Sequence, residues 1–347
     1  MIGVAAAEPL PSIGAIRWDG WFEGNPWEKN LASAEWAYRL PFFANPKEGT
    51  GPVICEDSQA VMDREIAYAK AGGLSYWAFC YYHPKSWPKA DAYNYGWRRY
   101  LASVHKKDLH FCLLLQGGSH LGPADEWKDT VGEFVQLFKE PTYQRVCGNR
   151  PLLYVYACEK LVTHFGSREA AGDAFKLLRA ESQEAGAGDP YIVAQVWPNQ
   201  LREDFFDAIR FDAVGAYSAQ GDKGDAQPYA KLVESNRWYW NEYKRTGRKV
   251  VPTVNAGWDG RPRKYTGAWY AQATPAEIAD AVRQAFDWVG ANAESVPART
   301  VLVYAWNEFD EGGWLCPTLE EGPARLDAIR VMLDGYAVKK GQVHLAE

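Results

Sequence analysis

The chain has 347 residues and a net charge of −6, from 38 Lys and Arg against 44 Asp and Glu. That balance disfavours nucleic acid and a polybasic membrane contact as partners. No apolar run approaches the roughly 20 residues needed to span a bilayer.

Residues 1–12, MIGVAAAEPLPS, read as an N-terminal extension. They lack a charged start and a full apolar segment, so they are no intact signal peptide. Ala5-Ala6-Ala7 before Glu8-Pro9 nevertheless resembles the small-residue end of a trimmed leader, which favours a periplasmic or secreted protein over a cytoplasmic one.

Apolar, β-branched or aromatic runs then alternate with longer helical patterns. The strand runs fall at 13–22, 74–82, 110–116, 151–157, 191–197, 212–218, 249–258 and 300–308. The helical patterns fall at 58–72, 94–107, 126–139, 168–185, 200–209, 228–246, 275–292 and 323–338. Thr274-Pro275 with Glu277 is a helix start: a capping residue, Pro at the first helical position and an acid in the first turn. Gly72-Gly73 is a helix stop. Several strand runs are apolar almost throughout, as parallel strands covered on both faces are. Eight β runs and eight helices predict one α/β domain over 1–347, a (β/α)8 TIM barrel. An open doubly wound sheet is the alternative, but no G-x-G-x-x-G follows the first strand. The pattern specifies no oligomeric state.

Six cysteines form no C-x-x-C pair, and six scattered histidines form no H-x-H or H-E-x-x-H. No metal site or cofactor is expected. Cys80 and Cys112 sit inside strand runs as small core residues. A G-x-S-x-G elbow is missing too, which disfavours a serine esterase. Carboxylate chemistry remains.

In a barrel that chemistry belongs at the C-terminal ends of the strands. Read in order, those ends carry Trp18, Asp19 and Trp21, then Tyr81, Tyr82 and His83, then Gln116 with His120, then Tyr156. Trp197, Tyr217 with Ser218, and Asn255 with Trp258 and Asp259 follow. Trp306, Asn307 and Glu308 complete the circuit. Rings sit beside hydrogen-bonding groups at nearly every end. Sixteen Trp and twenty Tyr exceed what a core of this size requires, and such a rim suits an oligo- or polysaccharide: rings to stack on sugar faces, amides and carboxylates for hydroxyls. Trp18, Trp197, Trp258 and Trp306 are the expected platform. Asp19, Tyr82, Gln116, Asn255 and Asn307 are the expected hydroxyl partners.

The stretch WNEFDEGGWL, 306–315, sets Glu308 and Glu311 three apart. Like charges close together and partly enclosed by Trp306 and Trp314 push one carboxyl towards its neutral form, as acid and base work requires. The blander reading is an acidic loop capping the last helix. Asp310 between them is expected to point away in a structural role. In GWDGRPRKY, 257–265, Asp259 pairs with Arg261 or Arg263; otherwise an Arg faces the cleft to receive an anionic group.

The motif W-N-E-F-D-E-G resembles the W-N-E-W-x-E-G type motif of the glycoside hydrolase family 99-like group, which includes endo-α-mannosidases and barrel proteins labelled as glycosyltransferases of polysaccharide biosynthesis. G-A-I-R-W-D-G-W and V-P-T-V-N-A-G-W-D-G-R-P-R are similar to segments of its bacterial members. The resemblance covers both ends of the barrel. It implies a retaining glycosidase in which Glu308 deprotonates the sugar's own 2-hydroxyl and Glu311 serves as acid and base. Phe309 and Asp310 depart from the mannosidase pattern, so mannose specificity is not carried over. A non-catalytic carbohydrate-binding barrel and a glycosyltransferase are the alternatives.

Overall fold

The computed structural model describes residues 9–46, 52–201, 203–221 and 224–339; the leader-like Ala5-Ala6-Ala7 lies outside them. Eight parallel strands form the central sheet: β1 Ser12–Arg17, β2 Tyr76–Tyr81, β3 His110–Gln116, β4 Arg150–Tyr156, β5 Tyr191–Gln195, β6 Ala213–Gly215, β7 Thr253–Asn255 and β8 Thr300–Tyr304. Each pairs with its sequence neighbour from β1 to β6, β7 pairs with β8, and β8 returns to β1 with Ser12 opposite Thr300. Between β6 and β7 the ring closes through Val214, whose N–H donates to Lys249 O and whose carbonyl accepts from Val251 N, both at 2.9 Å. This is the expected TIM barrel.

The eight principal helices are α1 Gln59–Ala71, α2 Tyr95–Ala102, α3 Trp127–Phe138, α4 Arg168–Glu184, α5 Glu203–Ile209, α6 Tyr229–Arg245, α7 Pro275–Ala291 and α8 Ala324–Lys339. Local chemistry starts them where the sequence says. Ser58 Oγ accepts from Val61 N, and Thr274 and Glu277 form a reciprocal capping box. No helix among the described residues is long and apolar enough to cross a membrane.

Inside the barrel, rings fill the space rather than leaving a pore. Tyr76 OH meets Tyr154 OH at 2.7 Å and Thr300 Oγ1 at 2.9 Å, all out of water. Room for the Tyr76 ring comes from Gly14, where a Cβ would fall 2.1 Å from it. Burying such a ring contributes roughly 1.5–3 kcal/mol, and its hydroxyl would cost stability were it unpartnered. Cys80 and Cys112 are buried thiols in β2 and β3, and all six cysteines are free.

The strands stop short of the predicted runs. Residues 18–22, 196–197, 256–258 and 305–306 are loop, although their composition is strand-like. Single backbone bonds continue beyond the ladders, Val196 N to Gly215 O at 3.1 Å, Ala256 N to Tyr304 O at 2.6 Å and Trp306 N to Ile16 O at 2.6 Å. Two short 3-10 helices, Pro26–Leu31 and Ala34–Arg39, occupy the β1–α1 connection and fold over the C-terminal end of the barrel.

Candidate active site

Beyond β8 the chain makes a small antiparallel hairpin, Asn307–Glu308 against Gly313–Trp314, around one 3-10 turn, Phe309–Glu311. Residues three apart eclipse in such a turn, which sets Glu308 and Glu311 on one side. Gly312 ends it at φ +82°, and a Cβ there would lie 2.6 Å from Asp259 N. The loop after β7 runs against this turn: Asp259 N donates to Glu311 O at 2.7 Å, and a Cβ on Gly257 would meet Gly312 O at 2.1 Å. Backbone-to-backbone approach of the two loops delivers Arg263 to the acids.

Arg263 binds all three. Its Nε and Nη2 reach Asp310 at 2.7 and 2.8 Å, its Nη2 reaches Glu308 Oε2 at 3.2 Å, and its Nη1 bonds Glu311 Oε1. Asn30 also donates to Asp310, at 2.7 Å. Asp310 is wholly buried and, instead of pointing away from the pair as expected, shares the Arg263 guanidinium with it. Glu311 additionally accepts from Tyr304 OH and, at 3.3 Å, from Tyr265 OH; Glu308 accepts from Tyr217 OH at 2.8 Å. Burial and the neighbouring Glu311 push the Glu308 carboxyl up to about 8, against the pull of Arg263. Burial also raises Glu311, opposed by Arg263 and Tyr304. Burial works against the Arg263 charge, yet Glu311, Asp310 and Glu308 hold its pKa far above the usual value. Burial and like charge thus favour the neutral carboxyl in this pair more than an exposed pair would.

Glu308 and Glu311 open into a cleft of ≈ 520 Å³. Of the predicted residues, Trp18, Tyr82, Gln116, Tyr156, Trp197, Tyr217 and Trp258 line it with them. Tyr156 and Tyr217 pack at 4.6 Å, and Trp18 Nε1 donates to Tyr82 OH at 3.1 Å.

Others lie outside the cleft. Trp306 was expected in the platform but is fully buried, its Nε1 bonded to Glu65 at 2.7 Å and its ring 5.0 Å from Trp77. Asp19 is spent on Arg17 at 2.9 Å, in a water-free group with Glu56 and Glu65. Burial, opposed by Arg17, raises its carboxyl to about 6. Asn307 holds backbone: it accepts from Trp18 N and donates to Trp18 O. Trp21 donates to Asn307 O at 2.8 Å and packs on Phe309. Tyr81 points the other way, to Glu133 and Phe134 of α3, because successive strand residues face opposite sides. Asn255 ties Ala219 N to Asn236, and His83 Nδ1 accepts from Lys85 N. Asp259 takes a two-pronged bond from Arg261, at 2.8 and 2.9 Å, and a further one from Arg39. Despite burial, those arginines keep its carboxyl below the usual range. Arg261 is thereby committed, its guanidinium 3.5 Å over the Trp269 ring. The pairing choice left open by the sequence falls to Arg261, and Arg263 serves the acids.

The expected site omitted Trp27, Trp87, Tyr93, Gln220, Arg263 and Tyr265, which complete the lining with His120 and Ser218. Trp27, Trp87 and Tyr93 stand on long loops after β1 and β2, where no periodicity reports direction. The only prior signal was their aromatic surplus.

The chain is thus a (β/α)8 barrel with two buried glutamates beyond β8, at the C-terminal end where such barrels gather their sites, in an aromatic cleft. The family model described as Glycosyltransferase WbsX matches residues 112–329, and the chain belongs to that family. It is 41% identical over 85 residues to the uncharacterised protein WxcX of Xanthomonas campestris pv. campestris, a match covering 24% of this chain and 12% of the relative; the chain thus spans a small part of that protein's length. In fold it is similar to a glycoside hydrolase-like protein, with a TM-score of 0.62, 12% identity and 96% of each chain covered. It is likewise similar to the GH99 endo-α-mannosidase of Bacteroides thetaiotaomicron, with a TM-score of 0.61, 13% identity, and coverage of 96% of this chain and 100% of that one. Family and fold together meet the expected likeness to the GH99-like group.

Proposed function

We propose that the protein hydrolyses a glycosidic bond in an oligo- or polysaccharide, with Glu308 and Glu311 as the working pair and no metal or organic cofactor. The observation that carries this is the joining of two buried carboxyls by one guanidinium on the wall of an aromatic cleft. Glycoside hydrolysis needs two carboxyl groups of different protonation flanking the bond. Trp18, Trp27 and Trp258 supply faces for sugar rings. Gln116, Tyr82 and His120 supply hydroxyl partners. Arg263 offsets part of the negative charge of the three acids as the proton moves, and the rings beneath it, Trp18 and Trp27 at 5.2 and 4.9 Å, fix its plane.

In the retaining scheme that the motif implies, Glu308 takes the proton of the sugar 2-hydroxyl, that oxygen closes on the anomeric carbon as the leaving oxygen is protonated by Glu311, and water reverses the sequence. The donors around each acid favour a second assignment. Glu311 accepts from Arg263, Tyr304 and Tyr265, whereas Glu308 has Tyr217 and the longer Arg263 contact. Burial and the neighbouring Glu311 push Glu308 up to about 8, which suits it as the acid. Aryl glycosides with good leaving groups separate the two: a Gln at the acid position keeps turnover of the activated substrate, while a Gln at the base position loses both.

The defining test is digestion of a glycan panel by wild type, Glu308→Gln and Glu311→Gln, with the released anomer followed by NMR. Wild-type turnover by both variants sinks the pair, and an inverted product sinks participation of the 2-hydroxyl. The family description favours a transferase; requirement of a sugar nucleotide for turnover would establish that reading instead.

A further inference from the structure

A second cavity of ≈ 460 Å³ lies beside the cleft. The two share Trp197, Gln220, Trp258 and Tyr265 as a common wall. Trp258 and Tyr265 are stacked, 25° apart in plane, and Tyr265 OH donates to Glu311 at 3.3 Å. One side chain thus separates the acid pair from the second space. Its far side is Trp238 of α6, which is 53% exposed, and Trp269. Trp197 is 41% exposed. Half-exposed tryptophans converging on a concavity are not a packing requirement, since they leave apolar area in water. The polar groups facing it are uncharged: Asn199, Gln220 and Tyr239, with no Lys, Arg, Asp or Glu among the described residues of the lining. Gln220 Oε1 has no hydrogen-bond partner among the described residues.

Resting on the glycan reading of the cleft, we infer that this cavity binds uncharged sugar units of the same chain, next beyond those held at Glu308 and Glu311. Stacked rings suit the apolar faces of pyranosides, and amides suit their hydroxyls. The wall it shares with the cleft makes the occupant an extension of the substrate rather than an unrelated ligand.

The test uses Glu311→Gln protein, alone and combined with Trp238→Ala or Trp238→Phe. Calorimetric titrations with mannan, glucan and xylan oligosaccharides, from disaccharide to hexasaccharide, read the dependence of affinity on length. We expect affinity to rise with length, Trp238→Ala to weaken the hexasaccharide about tenfold and leave the disaccharide unchanged, and Trp238→Phe to restore most of the loss. Thermal melting of Trp238→Ala checks that it remains folded. Length-independent affinity, equal loss for short and long oligomers, or no binding of any ladder overturns the inference. Wild-type digestion of the parent polysaccharides is read in parallel. Trp238-dependent binding without cleavage leaves this site standing and sinks the hydrolase reading; cleavage with length-independent binding does the reverse.

Discussion

Asn307 clasps Trp18 by both of its backbone groups: Oδ1 accepts from Trp18 N at 2.9 Å, and Nδ2 donates to Trp18 O at 2.8 Å. The residue before the candidate acid Glu308 thereby fixes the first ring of the cleft, across the seam where β8 meets β1. Glu56 backs the amide at 3.2 Å and is anchored in turn by Arg17 at 2.8 Å.

Replacing Asn307 by Ala strands a buried donor and a buried acceptor on Trp18. The expected cost is about 2–4 kcal/mol in urea unfolding, with turnover lost more steeply than stability because Trp18 and Glu308 shift together. Unchanged unfolding would show that the clasp does not hold the rim.

Glu308→Gln and Glu311→Gln should each lower turnover of the natural glycan by about 10²–10⁴-fold. Steady-state rates on the substrate found in the panel check this. Retained far-UV dichroism distinguishes lost chemistry from lost fold.

The raised Glu308 carboxyl makes a stability prediction with a definite sign. Its folded pKa of about 8 exceeds the unfolded value near 4.5, so between them the native state binds more protons than the unfolded one. Its contribution is fully present below about pH 4.5 and is lost as pH rises through about 8. Glu308→Gln removes that titration, so its melting temperature should gain on wild type as pH climbs from about 5 to about 9. A constant difference would place the proton elsewhere.

Asp19 behaves alike over a lower window. With a folded value of about 6 against 3.8, its contribution is lost as pH rises through about 6. Asp19→Asn should flatten the stability curve between about pH 4 and 6, read by denaturant midpoints, while glycan binding is unaffected because the side chain lies outside the cleft.

Arg263→Ala leaves three carboxylates facing each other without their shared cation. Breaking a buried ion pair costs roughly 3–5 kcal/mol, and the loss should be larger at high pH, where the acids cannot remain neutral. The pH–rate profile of any residual activity should move upward. A profile that stays in place would mean Arg263 does not govern the pair.

The alternation of apolar runs and helical stripes was enough to determine the barrel, because eight βα units of this length have few other ways to bury their faces. The capping box at Thr274 and the acid pair at the end of β8 were legible for the same local reason: each depends on residues three apart. Direction at the strand ends was not. Trp18 and Trp306 look alike in sequence, each beside a polar residue at a strand terminus, yet one faces the cleft and the other lies under Glu65. Which way a side chain turns after the ladder ends depends on loops far away in the chain, as Asn307 and Trp18 are 289 positions apart. Arg263 is the sharpest case. Sequence alone placed it near Asp259; only the backbone contact of Gly257 with Gly312 decided that its charge would be spent on Glu308, Asp310 and Glu311.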